Sequence, residues 1–505
     1  MDQISETLWD VVIYGTGVQE SLLALSLSRS GKKILHVDPH DYYGGPDAAL
    51  GLQDSEGWAS AHSSPLDWPF AAAEIIKPSG TGSLSSQRGY SLALSPQVIH
   101  GRSALLSQLV SSRAYRQLEF LAVGSFFVLK QSPLSLARIP STREDVFSTT
   151  AIPTRAKRSL MKFLKFVLDY ESSEQRNAWE PFVEKPLSEF LQDRFGLDAE
   201  LQTYIHTLTL SLNPHVSTGQ ALATIHRHLT SMGVFGPGFA AVYTKWGGMS
   251  EVAQVACRAS AVGGAVYMLS TTLSQVQESQ SSGKLEIIVS NELGGDTKIE
   301  TQLLVRGIEH CSRPLSDDRR TSRLVAIIDS PLKPLFEVVV EGAPTPAVAV
   351  IAFPAISTDD DDGANFPMYA FAHSSDTGEC PTGQCVLYFT THTGHNTEAA
   401  KARLESGLES LLLAVGGERK PETLFMLYYE FFQNDELICA AADAEAHGKI
   451  ISLPGAANSL IFDDSTLDPV HKAWTVIMGS AAEELESEYM QFPDREGVGD
   501  DDDYE

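Results

Sequence analysis

The feature that most constrains the fold of this 505-residue chain is a glycine turn between two apolar segments near its start. Residues 11–14 are typical of a buried strand, and Gly15-Thr16-Gly17 predicts a tight turn. The apolar spacing of residues 20–29 predicts a helix that ends at Gly31, and residues 34–37 predict a second strand. This order is the opening of a dinucleotide-binding βαβ unit, so we expect an α/β fold.

The turn departs from a working nucleotide site in one position. Such a site has the spacing Gly-x-Gly-x-x-Gly, because the second glycine lets the backbone approach a pyrophosphate and the third lets the helix pack on the strand. Gly15 and Gly17 are present, but the third position is Glu20, whose negative charge can cap the free helix amides itself. Asp38 stands where a ribose-binding acid belongs. We therefore expect a degenerate turn, in which these residues only shape the backbone, and no flavin or other cofactor.

Length and charge limit the class of protein. A chain of 505 residues is too long for one compact core, so two domains are expected. The net charge of -28 argues against nucleic acid as a partner, and it either keeps the protein soluble or attracts basic partners. No apolar run approaches the ~20 residues that span a bilayer, and neither a secretory signal nor a prenylation box is visible. We expect a soluble, cytosolic protein that meets membranes only transiently.

The polar residues form no pattern typical of catalysis or metal binding. Five scattered cysteines indicate reduced thiols. Cys380 and Cys385 flank a short loop, and a metal site there would need further ligands, so a plain loop is favoured. His206, His226 and His228 are interpreted as surface or satisfied core residues. With no nucleophile elbow, zinc spacing or phosphate loop, we expect no catalytic residue and no metal.

Changes in composition divide the chain into parts. Residues 1–115 and 236–490 are interpreted as one discontinuous α/β domain, and residues 116–235 as an inserted lobe made entirely of helices. Residues 46–89 are rich in Ser, Gly, Ala and Pro and are interpreted as a long, partly ordered surface insertion. The acidic residues 491–505 are expected to be a disordered tail.

Several segments resemble one known family. Residues 9–20 and 31–38, followed by Tyr42-Tyr43-Gly44-Gly45, resemble the start of the family of Rab GDP-dissociation inhibitors and Rab escort proteins, which has glutamate in place of the third glycine. Residues 157–164 resemble that family's helical segment, and residues 251–269 resemble its second characteristic block. The resemblance implies an FAD-oxidoreductase-like, GDI-like α/β fold with several sheets and an inserted helical lobe.

The resemblance also implies a function. Members bind GDP-bound Rab GTPases and their geranylgeranyl lipid, and the escort branch presents Rab to the Rab geranylgeranyltransferase heterodimer as its non-catalytic component A. Three features favour the escort branch: the long 46–89 segment, the acidic C-terminal extension, and residues 235–248, which resemble fungal escort proteins. The alternatives are a recycling GDP-dissociation inhibitor and, with less support, an FAD-dependent oxidoreductase.

Matching motifs transfer a Rab-binding platform to this chain. Its candidate residues are Tyr43, Glu251, Gln254, Arg258 and Met268. Arg258 can fork onto a carboxylate of the GTPase, although Glu251 and Arg258 lie on one helix face and could instead pair with each other. Ala256 departs from the animal members of the family, which have a larger apolar residue, and this leaves the neighbouring contact in doubt.

The helical lobe is expected to hold the isoprenoid, since only burial shields a geranylgeranyl chain from water. The candidate lining residues are Phe163, Leu164, Val167 and Leu208. For any single one of them an ordinary core position is favoured, and the lobe as a whole is the firmer prediction. In residues 160–168 the apolar side chains run most of the way round, which predicts a helix that is nearly enclosed or lines a cavity.

Overall fold

The computed structural model describes residues 2–493 except for short internal gaps. The gaps are residues 79–81, 141–145, 147–152, 280–281, 292–294, 308–309, 311–319, 356–365, 395, 418–419, 433–447 and 455–458. Most of the predicted acidic tail therefore lies outside the described residues, as do Cys311 and Cys439.

Strands dominate the chain. In chain order they are β1 (Leu8–Tyr14), β2 (Ile34–Val37), β3 (Ala49–Leu50), β4 (Phe70–Ile76), β5 (Leu92–Ala93), β6 (Ile99–His100), β7 (Phe120–Gln131), β8 (Leu134–Arg138), β9 (Ala241–Thr244), β10 (Val266–Met268), β11 (Thr271–Glu278), β12 (Leu285–Asn291), β13 (Gly295–Arg306), β14 (Arg320–Ile328), β15 (Val348–Phe353), β16 (Met368–Ser374), β17 (Cys385–His392), β18 (Thr423–Phe432) and β19 (Ile450–Ser452).

Helices fill the connections. They are α1 (Asp2–Glu6), α2 (Val18–Leu27), α3 (Leu52–Ala61), α4 (Ala104–Ser111), α5 (Thr154–Leu168), α6 (Ser173–Trp179), α7 (Leu187–Phe195), α8 (Ala199–Thr207), α9 (Thr218–Ser231), α10 (Met249–Val262), α11 (Thr397–Val415), α12 (Leu467–Met478) and α13 (Ala482–Leu485). Within the described ranges, these helices are too short or too polar to cross a bilayer.

The predicted βαβ unit is confirmed and forms the centre of one sheet. Its strand order is β10-β2-β1-β13-β12-β11, with β19 also paired to β13. β1 is parallel to β2 and to β13, whereas β12 and β11 form an antiparallel extension. Helices α2, α10 and α12 pack on one face through a shared apolar cluster that also includes Val11 and Ile13 of β1.

A second, larger sheet has the order β4-β18-β14-β17-β16-β15-β7-β9-β6, with β8 paired to β7. Most of its pairs are antiparallel. Helix α11 covers one face, and α5–α9 cover the other through one continuous apolar cluster. The expected mixed α/β architecture with several sheets is therefore present.

The helical region is shorter than the sequence suggested. Residues 120–138 form β7 and β8 rather than helix, and the helices begin at Thr154. The segment is apolar without a clear helical period, and pairing with β15 and β9 decides its conformation. Helix α5 also has one buried face: Leu160, Phe163 and Val167 are buried, while four of its five cations are exposed.

The Ser- and Gly-rich segment 46–89 contains more regular structure than its composition indicated. It includes α3 and the edge strand β4, which pairs with β18. The apolar residues Trp58 and Phe70 hold this segment on the second sheet through contacts with Tyr429. Composition alone missed these anchors because they are few and far apart in sequence.

Candidate functional site

The glycine turn is filled by the chain's own side chains. Gly15 has a left-handed φ of 103°, which a tight turn requires. A methyl group placed on Gly17 would lie 2.6 Å from Oε2 of Glu20 and 3.8 Å from Cδ of Pro46. The space through which a pyrophosphate would approach the helix is thus occupied by a carboxylate, and these residues do not fit a dinucleotide.

A second acid, which the sequence analysis did not single out, reaches the same helix end. Oδ2 of Asp47 accepts a hydrogen bond from the backbone N–H of Val18, at 3.4 Å. Gly44 and Gly45 make this possible, because both have positive φ and a Cβ on Gly44 would lie 2.9 Å from Cα of Ala48. The Tyr-Tyr-Gly-Gly motif therefore folds residues 44–48 back over the turn.

The two acids are held away from water. Burial raises the pKa of Glu20 from 4.5 to about 8, a hydrogen bond from its own backbone N–H opposes this, and the charges of Asp47 and Asp38 add to it. Burial likewise raises the pKa of Asp47 to about 6. At neutral pH Glu20 is mostly protonated, so the turn avoids the full repulsion among three neighbouring carboxylates.

Asp38 has structural partners in place of a ribose. Thr16 Oγ1 donates to its Oδ2 at 2.7 Å, and the backbone N–H of His40 donates to its Oδ1 at 2.8 Å. Burial acts to raise the pKa of Asp38, but the hydrogen bonds from His40 and Thr16 outweigh it and lower the pKa. Asp38 thus ties the end of β2 to the glycine turn.

The candidate platform is built on α10, and a buried polar cluster fixes where this helix begins. Tyr243 donates to Oε1 of Glu379 at 2.6 Å, and Tyr388 and His373 contact its Oε2. Gly248, the residue before the helix, has φ of 65° and packs so closely on Tyr243 that a Cβ would lie 2.7 Å from the hydroxyl oxygen. The helix therefore starts from a rigid base.

The structure brings Tyr43, Arg258 and Glu251 into one neighbourhood. Tyr43 packs edge-on against Tyr267 with 6.2 Å between ring centroids. Burial, Cys257 and Asp38 raise the pKa of the Tyr43 hydroxyl, and the charge of Arg258 opposes them. Burial also raises the pKa of the half-buried Glu251, again opposed by Arg258.

The alternative of a Glu251–Arg258 pair is present only as a longer-range attraction, in which the charge of Arg258 acts to lower the pKa of Glu251. Within the described ranges no direct ion pair joins them, and Arg258 donates instead to Oε1 of Gln117 at a long 3.5 Å. The guanidinium is exposed, so it remains accessible to a partner.

The other two platform candidates differ in position. Gln254 lies on the same helix and donates to Ser250 at 3.2 Å. Met268 packs on the opposite face of the first sheet, against Trp9, Val12 and Leu35, and is not brought together with Arg258. Its neighbour Tyr267 lies on the platform side of the sheet and contacts His36. The sequence analysis did not name Tyr267, although adjacent residues of a strand lie on opposite faces of a sheet.

A second candidate site is an apolar cavity of about 820 Å³ between the helices and the second sheet. Its wall contains residues of α5, α9, β7 and the loop before β9. They are Gly124, Phe126, Ile139, Pro140, Val146, Met161, Lys162, Leu164, Lys165, Leu168, Leu208, His228, Leu229, Met232, Gly238, Phe239 and Ala240. Most of these side chains are apolar, so the cavity suits a hydrocarbon.

The four isoprenoid candidates separate into two groups. Leu164 and Leu208 line the cavity, whereas Phe163 and Val167 are completely buried in the core on another face of α5. Phe163 packs edge-on against Phe195, with 5.3 Å between ring centroids. Met161, Leu229 and Met232 line the cavity but were missed, because sequence spacing does not reveal which helix face meets a void.

The wall has one buried polar group. His228 packs against Phe126 and His100, and burial lowers its pKa to about 4, so it is neutral at pH 7. Its Nδ1 has no hydrogen-bond partner in the described part of the chain, so His228 is neither the surface residue nor the satisfied core residue that the sequence analysis allows. No cluster of three metal-ligating side chains occurs among the described residues.

Fold and site together define a class of protein: a flavoprotein-like scaffold with an occluded nucleotide turn and an apolar cavity. Residues 1–335 match the family model described as GDP dissociation inhibitor. The chain therefore belongs to the GDP dissociation inhibitor family, as the sequence motifs indicated.

Comparisons with individual proteins agree with this family. The chain is 30% identical over 410 residues to the Rab proteins geranylgeranyltransferase component A of Saccharomyces cerevisiae and 29% identical over 413 residues to that of Candida albicans. Each match covers 80% of this chain but only 65% and 62% of the respective yeast protein, which is less than two thirds of its length.

Solved structures show the same fold. A Rab GDI from Plasmodium falciparum has a TM-score of 0.64 at 18% identity, covering 92% of this chain and 97% of its own. An oxidoreductase from Methanosarcina mazei has a TM-score of 0.57 at 12% identity, covering 92% of this chain and 99% of its own. At these identities the likeness establishes the FAD-oxidoreductase-like architecture alone.

Proposed function

We propose that this chain is a Rab escort protein. It binds newly made, GDP-bound Rab GTPases, presents them to the Rab geranylgeranyltransferase heterodimer as the non-catalytic component A, and then carries the prenylated Rab through the cytosol to membranes. The observation that carries the proposal is the apolar cavity in a member of this family whose nucleotide turn is filled by Glu20 and Asp47. The names of the two yeast relatives favour the escort branch.

The platform contacts the GTPase in this proposal. Arg258 supplies an exposed guanidinium for a carboxylate or carbonyl of Rab, and Glu251 and Gln254 lie on the same helix. Tyr43 adds a half-buried ring beside them. Met268 acts through its backbone, which accepts the N–H of Asp38 at 2.9 Å and so fixes the neighbouring turn.

The cavity holds the isoprenoid in this proposal. Each buried CH₂ contributes ~0.8 kcal/mol, so sheltering the chain from water supplies most of its binding free energy. Leu164 and Leu208 contact the hydrocarbon, while Phe163 and Val167 hold the wall in place from the core.

A reconstituted prenylation reaction tests the proposal. The protein is added to purified GDP-loaded Rab, the transferase heterodimer and geranylgeranyl diphosphate, and lipid incorporation into Rab is measured. We expect transfer only when the protein is present. Equal transfer in its absence contradicts the escort assignment.

A recycling inhibitor is the second candidate, because a Rab GDP-dissociation inhibitor of Saccharomyces cerevisiae is 27% identical over 293 residues. Such a protein would extract prenylated Rab from membranes yet fail to support the transfer reaction. A function as a flavin oxidoreductase is disfavoured because Glu20 and Asp47 occupy the glycine turn. A stoichiometric flavin absorbance band in the purified protein would support that function instead.

A further inference from the structure

Helix α5 has a charge opposite to that of the rest of the molecule. Its fifteen residues contain no acid and five cations, in a chain whose net charge is -28. These cations are Arg155, Lys157, Arg158, Lys162 and Lys165. A helix with this composition creates a local positive potential on an otherwise acidic protein.

Four of these cations form one exposed stripe. Arg155, Arg158, Lys162 and Lys165 are spaced by three, four and three residues, which places them on the same helix face, and each is exposed. In the described part of the chain none of the four forms an ion pair, although Lys162 also lies 5.7 Å from the centroid of the Phe195 ring. The stripe is therefore not neutralised by the protein itself. We name it the basic stripe.

The basic stripe borders the apolar cavity. Lys162 and Lys165 belong both to the stripe and to the cavity wall, and Leu168 continues the wall at the end of the helix. Leu168 is 53% exposed, so an apolar side chain stands beside the cations at the surface. Positive charge and an exposed apolar group at one edge match the interfacial zone of a bilayer, where lipid headgroups are anionic and acyl chains lie just below.

From this geometry we propose that the basic stripe docks the protein on an anionic membrane surface with the cavity facing the lipid. The inference rests on the proposed function, because a carrier of prenylated Rab must release the isoprenoid where it can enter a bilayer without crossing water. An overall charge of -28 repels such a surface, so a local cationic face is what allows approach in one orientation.

Vesicle flotation of the full chain, without Rab or transferase, tests the docking surface. The vesicles are phosphatidylcholine alone or phosphatidylcholine with about one third phosphatidylserine. The test variant is Arg155→Gln/Arg158→Gln, whose two side chains lie outside the cavity wall. The matched control is Lys33→Gln/Lys472→Gln, which removes the same charge from two exposed positions, one before β2 and one on α12.

We expect wild type and control to bind the anionic vesicles, and high salt to release both. The Arg155/Arg158 variant should bind about twenty-five-fold more weakly, since each cation near the surface contributes about a fivefold factor. Leu168→Ser should give a smaller loss. Binding that ignores phosphatidylserine, no binding by wild type, or equal losses in test and control variants each overturn the docking surface.

A second measurement separates this inference from the proposed function. In the membrane-free prenylation reaction the Arg155/Arg158 variant should act like wild type. If instead it fails there while its vesicle binding is unchanged, the basic stripe serves an acidic protein partner and the membrane inference is wrong. If wild type fails in that reaction but floats with anionic vesicles, the escort assignment falls and the docking surface stands.

Discussion

The nucleotide turn and the apolar cavity are both positions where a ligand is expected, yet the chain fills one and leaves the other hollow. At the turn, Glu20 and Asp47 occupy the end of α2, and Asp38 is held by Thr16 and His40. At the cavity, about 820 Å³ remains between α5, α9 and β7.

This difference between the turn and the cavity follows from the chemistry of the side chains that surround each of them. A helix N-terminus attracts any nearby acid, so a carboxylate from the chain can replace an external anion. Apolar side chains have no comparable directed interaction with a void, and the surrounding sheet and helices limit its collapse. The turn has therefore become structural, whereas the cavity keeps the capacity to bind.

The largest effect is expected in the core behind the cavity. Phe163→Ala should lower the free energy of unfolding by about 3–5 kcal/mol, because Phe163 is completely buried among aromatic rings. Leu164→Ala, one position along the helix, should cost clearly less because Leu164 already faces the void. Denaturant unfolding measures both, and equal losses would show that the two residues do not divide between core and cavity.

A charge in the cavity should remove binding without unfolding the protein. Leu164→Asp should weaken the affinity for a geranylgeranylated peptide by roughly 3 kcal/mol, because a carboxylate would face hydrocarbon. Leu413→Asp is the control, since Leu413 is an exposed leucine on α11, outside the cavity wall. Fluorescence titration with a labelled prenyl peptide provides the measurement. Unaltered affinity in the Leu164 variant would place the lipid elsewhere.

The turn should become more stable when its buried acid is neutralised. The pKa of Glu20 is about 8 in the folded protein and 4.5 as its ordinary value, so the unfolded chain loses the proton first as pH rises and stability falls between these values. Glu20→Gln should therefore stabilise the protein by about 2 kcal/mol at pH 6 and by little near pH 4.5.

Thermal unfolding across this pH range checks the Glu20 prediction. The exposed Glu483→Gln serves as a control and should give no comparable gain at pH 6. A gain that is the same at both pH values would mean that Glu20 is not held protonated by its surroundings. The Glu20→Gln protein should also purify without a flavin absorbance band, because the amide of glutamine still blocks the approach of a pyrophosphate.

The smallest effect is expected for Rab binding at the platform on α10. Arg258→Ala should weaken binding of GDP-loaded Rab by about 1–2 kcal/mol, since the guanidinium is exposed and only weakly held by Gln117. Arg176→Ala, an exposed arginine on α6, is the control and should leave the affinity unchanged. Calorimetric titration measures both. Equal affinities for wild type and the Arg258 variant would remove this residue from the platform.

Local patterns determined a large part of this protein. The βαβ opening, the degenerate position at Glu20 and the helix that carries Arg258 all follow from residues close together in sequence, because turn chemistry and helical period are local properties. Strand pairing is not local, so the sequence predicts helix for residues 120–138, whereas pairing with β9 and β15 makes most of them strand.

The sequence by itself thus determined the scaffold, the family and the acid in the turn. Only the tertiary structure decided that Asp47 joins Glu20, that Phe163 belongs to the core while Leu164 faces a cavity, and that Met268 lies on the far side of the sheet from Arg258. The physical reason is that burial and orientation depend on elements hundreds of residues away, and a helix or strand has no preferred face until those elements pack against it.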